Sequence, residues 1–571
     1  MKRAVVVVFL CFLYSWVAYC TPTEAPLTSI QIQNLGRFIK VWGFLKYYHS
    51  AVADGKFDWD QIFLDNYATI RTSTSRSTGD SVLYELYSLC ESKKDKWADV
   101  PSVEEYDPIT IVIKPDWQWL RDSTVLSKPL STSLLAVRDN FKPLVNKYTL
   151  VGGWHFLNAI NDNKFSQFKD DPFPAEAIRC LALSRYWNIV EYFYPQKQAI
   201  EGTWDSVLYT HIPHFIYAAT ARDYVLSFLQ LQKPLNDAGA GIENDTLSEF
   251  LGKGYLPFRI KTVHSNSIIS GAYGSNTEKW KAKMAELGIT LGDELLQINT
   301  IPIQKLKELH SHYISASNES NLEYYINLDL IRGKLGDTAT LTITNGDRNY
   351  TVKTVYQDEM LPEETRSGSF AEGLGTIMDS IGYMDLGKVQ RKNILKALQA
   401  FGNTKAIIFD LRHKCLNSAG TIMAYLSKQV DVWYSIHPVV SRPGTFFSTY
   451  KRKQQSGSNI PSPIQYKGKY IILVNENTDA DAEYAAMMLQ TLPNAVTIGN
   501  QTAGDFNAKM EIPLPGGIHA YVSSVNVIYP DDTPTQQEGI KIDIHSHPTI
   551  QGIREGRDEV LEHAIRYILS N

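Results

Sequence analysis

The sequence predicts a multidomain α/β protein: duplicated helical modules, then a small β-rich domain, then a domain of alternating strands and helices. Three observations predict it. An aromatic pattern recurs at one fixed offset in the first half. A glycine-aspartate turn running into a strand marks the middle. Short apolar runs separated by amphipathic stretches fill the C-terminal part, the pattern of an α/β layer structure. The 571 residues are several times the usual ~100–200 of one domain.

The repeat comes first along the chain. "VWGFLKYYHS" at 41–50 aligns with "YWNIVEYFYP" at 186–195, so that Trp42 matches Trp187. "FDWDQI" and "GTWDSV" then place Trp59 against Trp204, at the same offset of 145 residues. Two anchors at one offset predict duplicated helical modules, at 23–105 and 171–249. Each carries an aromatic stripe at helical spacing: Trp42, Leu45 and Tyr48 in one, Trp187, Val190 and Tyr194 in the other. Such stripes are expected to be core faces. Between the modules, 106–170 reads as a small mixed segment, with the strand-like "ITIVIK" and the turn "VGGW".

Residues 250–356 form the next unit. Gly292-Asp293 precedes the strand "ELLQIN", a helix follows from Ile303 to Ile314, and "TATLTIT" is a further strand. The unit resembles a PDZ domain. That resemblance implies a bound peptide that adds a strand, its carboxylate held by backbone N–H groups. "YLPF" at 255–258 stands where the carboxylate loop belongs, and its Pro257 has no N–H to offer.

In the last unit, 365–571, strands are expected at "IGYMDL", "KAIIFDLR", "KYIILVN", "AVTIGN" and "IHAYVSSVNVIY". Helices are expected at about 388–401, 418–428, 480–491 and 556–569. The strand "YIILVN" ends in a short turn leading to the helix "AEYAAMMLQ", and "TIGNQTAGDF" makes a glycine-containing turn after the next strand. A helix N-terminus at such a turn offers N–H groups to a developing oxyanion.

These pieces, with "IPLPGGIHAYVSS" and "GIKIDI", resemble the tail-specific (C-terminal-processing) serine peptidase family, in its tricorn-like branch. The resemblance covers about 250–571 and implies a ClpP/crotonase-type α/β core. In that family a serine sits before the helix, in a small-x-Ser-x-small-Glu pattern. Here Glu483 sets the register, and the serine position is Ala480. A lysine used by one branch falls on Asp505. The histidine of the other branch, at the end of a Leu-Asn-Asp-x-His motif, falls on Gly239 in "PLNDAGAG". The acidic partner falls on Glu538, 58 residues beyond Ala480. The resemblance assigns oxyanion donors to the Asp481 N–H and the "DLRHKCLNSAG" loop from Asp410 to Gly420.

An alanine cannot attack a carbonyl. No catalytic residue set is therefore intact at Gly239, Ala480 and Glu538, and the expectation is a degenerate member that binds extended peptides or unfolded protein tails. An active endopeptidase with a rearranged site is the first alternative, drawing on Thr478, Ser523, Ser524 or His519. A non-enzymatic envelope interaction protein is the second. Thr478 reads better as a cap and the strand serines as local hydrogen-bonding groups.

Composition bounds the partners. Net charge is −5 with no basic run, so nucleic acid is not expected. Cys90, Cys180 and Cys415 are odd in number and widely spaced, matching neither a disulfide framework nor a zinc pattern. His545 and His547 lack further ligands nearby in sequence and read as a solvated strand end, so neither metal nor cofactor is expected. Lys2 and Arg3, the apolar Val5 to Val17 and the small residue Ala18 read as a signal peptide over 1–20. Export to the periplasm or cell envelope is expected, with membrane association only if Cys20 carries a lipid.

Overall fold

The computed structural model describes residues 25–91, 110–142, 146–151, 157–159, 171–272, 277–358, 370, 373–412, 415, 418–427, 429–431, 433–449, 453–455, 464–506 and 508–570. The signal segment 1–20 and its Cys20 lie outside them. So do Gly152 to Trp154 and part of the loop between Asp410 and Gly420. No helix among the described residues is long and apolar enough to cross a membrane.

The two aromatic modules form matching helical pairs. Ser29–Tyr48 and Trp59–Thr72 make the first, Glu176–Phe193 and Trp204–Tyr217 the second. Thr28, Asp58 and Thr203 cap three of these helices with side-chain oxygens. Within each pair the two tryptophans lock reciprocally. Trp42 Nε1 donates to the Trp59 carbonyl at 3.0 Å, and Trp59 Nε1 to the Trp42 carbonyl at 3.1 Å. Trp187 and Trp204 repeat the lock at 2.9 Å in both directions. Both ring pairs are stacked, at interplanar angles of 12° and 2°. Burial satisfies each indole N–H while the ring supplies apolar area.

The copies then pack on each other about a pseudo-two-fold axis. Lys40 and Arg185 occupy equivalent positions, as do Asp60 and Asp205, and each cation reaches the other copy's acid. Lys40 Nζ lies 2.6 Å from Asp205 Oδ2, and Arg185 holds Asp60 with both Nε and Nη2. On the axis the equivalent Tyr47 and Tyr192 meet edge to face, with centroids 5.3 Å apart. Asn188 Nδ2 donates to the Ile39 carbonyl, and a Cβ on its counterpart Gly43 would collide with the Asn188 side chain. Both stripes are buried, as expected of core faces.

This helical core continues into the C-terminal unit. The hairpin Lys509–Leu514 and Ile518–Ser523 contributes Met510, Ile512, Ile518 and Val522 to the same apolar cluster. Its sheet has five strands: Leu150–Val151, Leu157–Ala159, the two hairpin strands, then Gly241–Glu243 at the edge. A four-stranded sheet joins Thr110–Ile113 to Phe446–Ser448, Tyr434–Pro438 and Asn526–Ile528. The strands of the mixed segment 106–170 thus complete sheets made by the C-terminal unit. "IHAYVSSVNVIY" is two strands, because the chain leaves one sheet after Ser523 and enters another at Asn526.

The C-terminal α/β core is a six-stranded sheet in the order Leu374–Ile377, Ile381–Asp385, Ala406–Asp410, Lys469–Val474, Ala495–Gly499, Ile544–His545. Five strands are parallel and the first is antiparallel. Alternation sends Ile407, Phe409, Ile472 and Val474 to one face, against Ile394–Ala400, Ala419–Leu426 and Ala480–Gln490. Ile408, Ile471 and Leu473 face the other way, against Glu559–Ser570. Residues 250–356 form a separate sheet, Asn349–Val355, Thr338–Thr344, Glu294–Ile298, Asn266–Ala272, Phe258–Val263, with the helices Ile303–Ser311 and Glu319–Leu330.

Replacing Arg185 with Met leaves the buried Asp60 carboxylate without its principal counter-charge. The expected cost is about 3–5 kcal/mol, measured as a fall in the urea unfolding free energy.

Candidate functional site

The strand Lys469–Val474 runs into the turn at 475–479 and then into the helix Ala480–Gln490. Ala480 stands at the junction with φ of 48°, the left-handed region that a non-glycine residue enters at a cost of about 1–2 kcal/mol. The surroundings enforce this. Its N–H donates to the Asp505 carbonyl at 2.6 Å. The Glu483 carboxylate, one helical turn on, is buried and takes Thr502 Oγ1 at 2.6 Å and the N–H groups of Gly504 and Asp505 at 2.8 and 2.9 Å. Burial pushes the Glu483 pKa well above the usual carboxylate range, against those donors. The glycine-containing turn is thereby bolted to the first turn of the helix. Asp481 is the next residue, in the first helical turn, where N–H groups have no intrahelical acceptor. A strand, a strained residue and a helix N-terminus in succession form the geometry that holds a nucleophile elsewhere. Here the strained residue carries only a methyl group.

The Gly239 loop is built on a second buried carboxylate. Asp237 receives Ser523 N–H at 2.8 Å, Ser523 Oγ at 2.7 Å, Gly239 N–H at 2.9 Å and Gln536 Nε2 at 3.0 Å. Burial raises its pKa, while the bonds from Ser523 and Gly239 pull the other way. A short relay connects this loop to Ala480. Ala238 N–H donates to Ser317 Oγ at 3.0 Å, and Ser317 Oγ donates to the Gly504 carbonyl at 3.0 Å. The next carbonyl, of Asp505, takes the Ala480 N–H. The loop residue before Gly239 and the N–H of Ala480 are thus both attached to the turn at 504–505. A side chain at 239 has no room, because its Cβ would lie 2.4 Å from Ser523 Oγ.

Glu538 joins the cluster through its backbone. Its carbonyl accepts from Gln501 Nε2, and Ile540 N–H donates to Thr502 Oγ1 at 2.8 Å. Its carboxylate is exposed. The side chain that reaches the Gly239 loop from this segment is Gln536, which bonds both Asp237 and Ser317. Neither Gln536 nor Ser317 was distinguished by the sequence, since an isolated Gln or Ser carries no signal of its own.

The alternative nucleophiles are engaged elsewhere. Thr478 is fully buried: its Oγ1 donates to the Leu411 carbonyl at 2.9 Å and accepts from Asn475 N–H at 3.0 Å. Ser524 Oγ donates to the Ala508 carbonyl, and the exposed His519 pairs with Glu511 at 2.7 Å. Asp505, at the lysine position, pairs with Lys509 at 3.2 Å. Burial pushes the Cys415 thiol up, which disfavours the thiolate. Ser435 Oγ and His437 Nε2 lie 2.7 Å apart, a pair on the strand Tyr434–Pro438 that sequence spacing did not indicate. His545 and His547 stack at 6.4 Å, and no cluster of three metal-ligating side chains occurs among the described residues. At the "DLR" start of the segment 410–420, Arg412 binds both Asp410 and Asp558.

Two of the YLPF donors are already used. Tyr255 N–H donates to the Gln357 carbonyl and Leu256 N–H to the Ile331 carbonyl. The strand after them carries Thr262, which donates to Glu323 Oε2 at 2.5 Å and accepts from Lys307 at 2.9 Å and Asn327 at 3.0 Å. The helix Glu319–Leu330 is thus tied directly to that strand. A cavity of about 820 Å³ opens instead between this unit and the Gly239 loop, lined by Gly239, Gly241, Ile242, Ile314, Tyr325 and Lys509 among others.

Ala480→Gly relieves the left-handed strain and is expected to raise the urea midpoint, by up to about 1 kcal/mol in unfolding free energy. Asp237 gives a pH test. Its folded pKa lies above the ordinary value of 3.8, so the folded form holds a proton the unfolded chain has lost. Its contribution is complete below that value and falls as pH rises through the folded pKa. Asp237→Asn is expected to flatten that part of the stability–pH profile, read from urea melts.

Residues 380–546 match the family model described as Peptidase family S41. No curated protein matches the chain. Among solved structures, mature CPAF complexed with lactacystin is similar at 13% identity, over 69% of this chain and 99% of that one, with a TM-score of 0.53. Mature CPAF alone is similar at 13% identity, over 69% and 98%, with a TM-score of 0.52. The photosystem II D1 C-terminal processing protease is matched at 13% identity over 67% and 98%, with a TM-score of 0.37. At such identity the likeness to CPAF is one of fold. The matched segment 380–546 contains the strand–turn–helix junction at Ala480, so the likeness to Peptidase family S41 falls on the candidate site itself.

Proposed function

We propose that this protein is a pseudopeptidase: it binds extended peptides or unfolded protein tails on an S41 scaffold without cleaving them. One observation carries the reading. The junction that would present a nucleophile is intact down to its left-handed residue, and that residue is Ala480. The position paired with it, Gly239, has no side chain, and Ser523 fills the space. Without nucleophile and base, only an oxyanion site and binding remain. Export to the periplasm or envelope belongs to the same proposal and rests on the Lys2-Arg3 start and the apolar stretch after it.

A rearranged serine peptidase is the second reading, favoured by the Ser435–His437 hydrogen bond. It is the weaker one, because His437 is buried and Ser435 Oγ is shared with Thr449 Oγ1.

Purified protein incubated with unfolded casein and with a fluorophosphonate probe is expected to show neither cleavage nor labelling. Cleavage that disappears in Ser435→Ala would establish the second reading and end the first. The scaffold itself is tested by rebuilding: Ala480→Ser with Gly239→His and Ser523→Gly, the last change making room for the imidazole. Labelling of the triple variant, and none of Ala480→Ser alone, is the expected outcome.

A further inference from the structure

The helix Trp204–Tyr217 carries two histidines about one turn apart, His211 and His214, on either side of Pro213. Proline supplies no N–H, so the helix lacks one of its backbone bonds at this turn. His211 is buried, and the two rings meet edge to face with centroids 5.2 Å apart. His211 Nδ1 donates to the Val207 carbonyl at 2.7 Å. The His214 ring bonds the Gln230 side chain, while its Nδ1 is buried and has no hydrogen-bond partner among the described residues. Protonation of His214 would put a buried N–H where nothing accepts it. Protonation of both rings would add repulsion between two cations at close range.

The charged groups around the pair are engaged elsewhere. Asp205, at the start of the same helix, pairs with Lys40. Arg179, from the helix Glu176–Phe193, donates to the Phe215, Ile216 and Ala218 carbonyls. On the helix Ala221–Gln232, packed against the pair, Asp223 takes the Ala219 N–H at 3.3 Å. Arg222 and Asp223 act on Tyr313 of the 250–356 unit. Among the described residues no carboxylate acts on either imidazole. Burial therefore holds both below the ordinary histidine value of 6.5. At His211 the neighbouring His214 adds to this, against the bonds to the Val207 and Gln230 backbone.

The pair holds the helix Ala221–Gln232. Gln230 meets His211 through its backbone and His214 through its side chain, and that side chain also bonds the Tyr313 hydroxyl. Leu226 and Leu229 of this helix, with Tyr313, line the 820 Å³ cavity. At the helix end Gln232 Nε2 donates to the carbonyls of Gly241 and Tyr521. The chain then continues through Lys233–Leu235 into the Gly239 loop. We propose that His211 and His214 are a proton-operated release: acidification frees Ala221–Gln232 from Trp204–Tyr217 and loosens the cavity wall and the Gly239 loop with it. A histidine held below 6.5 in the folded chain contributes stability that is complete above that value. The contribution is lost as pH falls through the folded pKa, the opposite sign to Asp237. The release does not depend on what the cavity binds.

The test measures backbone hydrogen exchange in the full-length protein at about pH 7.5 and about pH 5.5, corrected for the intrinsic effect of pH. The helix Ala221–Gln232 is expected to exchange severalfold faster at the lower pH, while the core strand Lys469–Val474 is unchanged. His211→Gln with His214→Gln keeps polar groups in both places without a titrating ring. It is expected to exchange equally at the two pH values. His214→Gln alone leaves the His211 bond to Val207 in place and is expected to shrink the step, which keeps the test decisive if the double variant does not fold. A wild type without the step, or with an equal step in Lys469–Val474, overturns the proposal. A folded variant that exchanges faster at both pH values yet keeps the wild-type ratio gives the histidines a packing role only, and overturns it as well.

Discussion

The architecture around the site depends on one buried carboxylate. Asp237 collects donors from Ser523, Gly239 and Gln536, and its own N–H donates to Ser315 Oγ at 3.1 Å. It thereby ties the end of the second helical module to the C-terminal hairpin and to the 250–356 unit. An unpaired buried carboxylate would be costly, and convergent donors are what make it tolerable. That requirement fixes the loop 236–240 tightly. The same fixation holds the edge strand at 241–243 in place and leaves no room for a side chain at 239.

Glu483 repeats the device on the other side. Its three donors come from the turn at 502–505, so the helix that starts at Ala480 and the turn that follows the next strand move as one body. Lys261 adds a link from the 250–356 unit to Glu476 at 2.6 Å. Burial alone would raise the Glu476 pKa, but the Lys261 charge outweighs it and lowers the value. Asn318 and Ser320, at the start of the helix Glu319–Leu330, reach the Thr502 and Gln501 carbonyls. The N-terminus of the helix that starts at Ala480 is thereby held in place from two sides. Such preorganisation is useful to a binding site, because it lowers the ordering cost of association.

The helical modules explain why this frame is rigid. Their symmetric ion pairs and tyrosine contact close one interface, and their apolar faces merge with the hairpin that carries Ser523. Both copies and the hairpin therefore share one apolar cluster.

Much of the fold was legible in the residues. The 145-residue offset, the aromatic stripes and the strand–helix alternation are local or periodic, and local sterics and apolar burial act on them directly. The absence of a hydroxyl at 480 and of an imidazole at 239 is likewise a fact of the sequence once the motif fixes the register. Other features had no local signature. That Ser523 occupies the space over Gly239, that Gln536 rather than Glu538 points at Asp237, and that Thr110–Ile113 pairs with Phe446–Ser448 all depend on long-range packing. The sequence by itself determined the modules and the alanine at 480 and glycine at 239, because those depend on residue identity and period. Only the tertiary structure decided which buried donors meet which carboxylate, because those meetings depend on contacts between segments far apart in the chain.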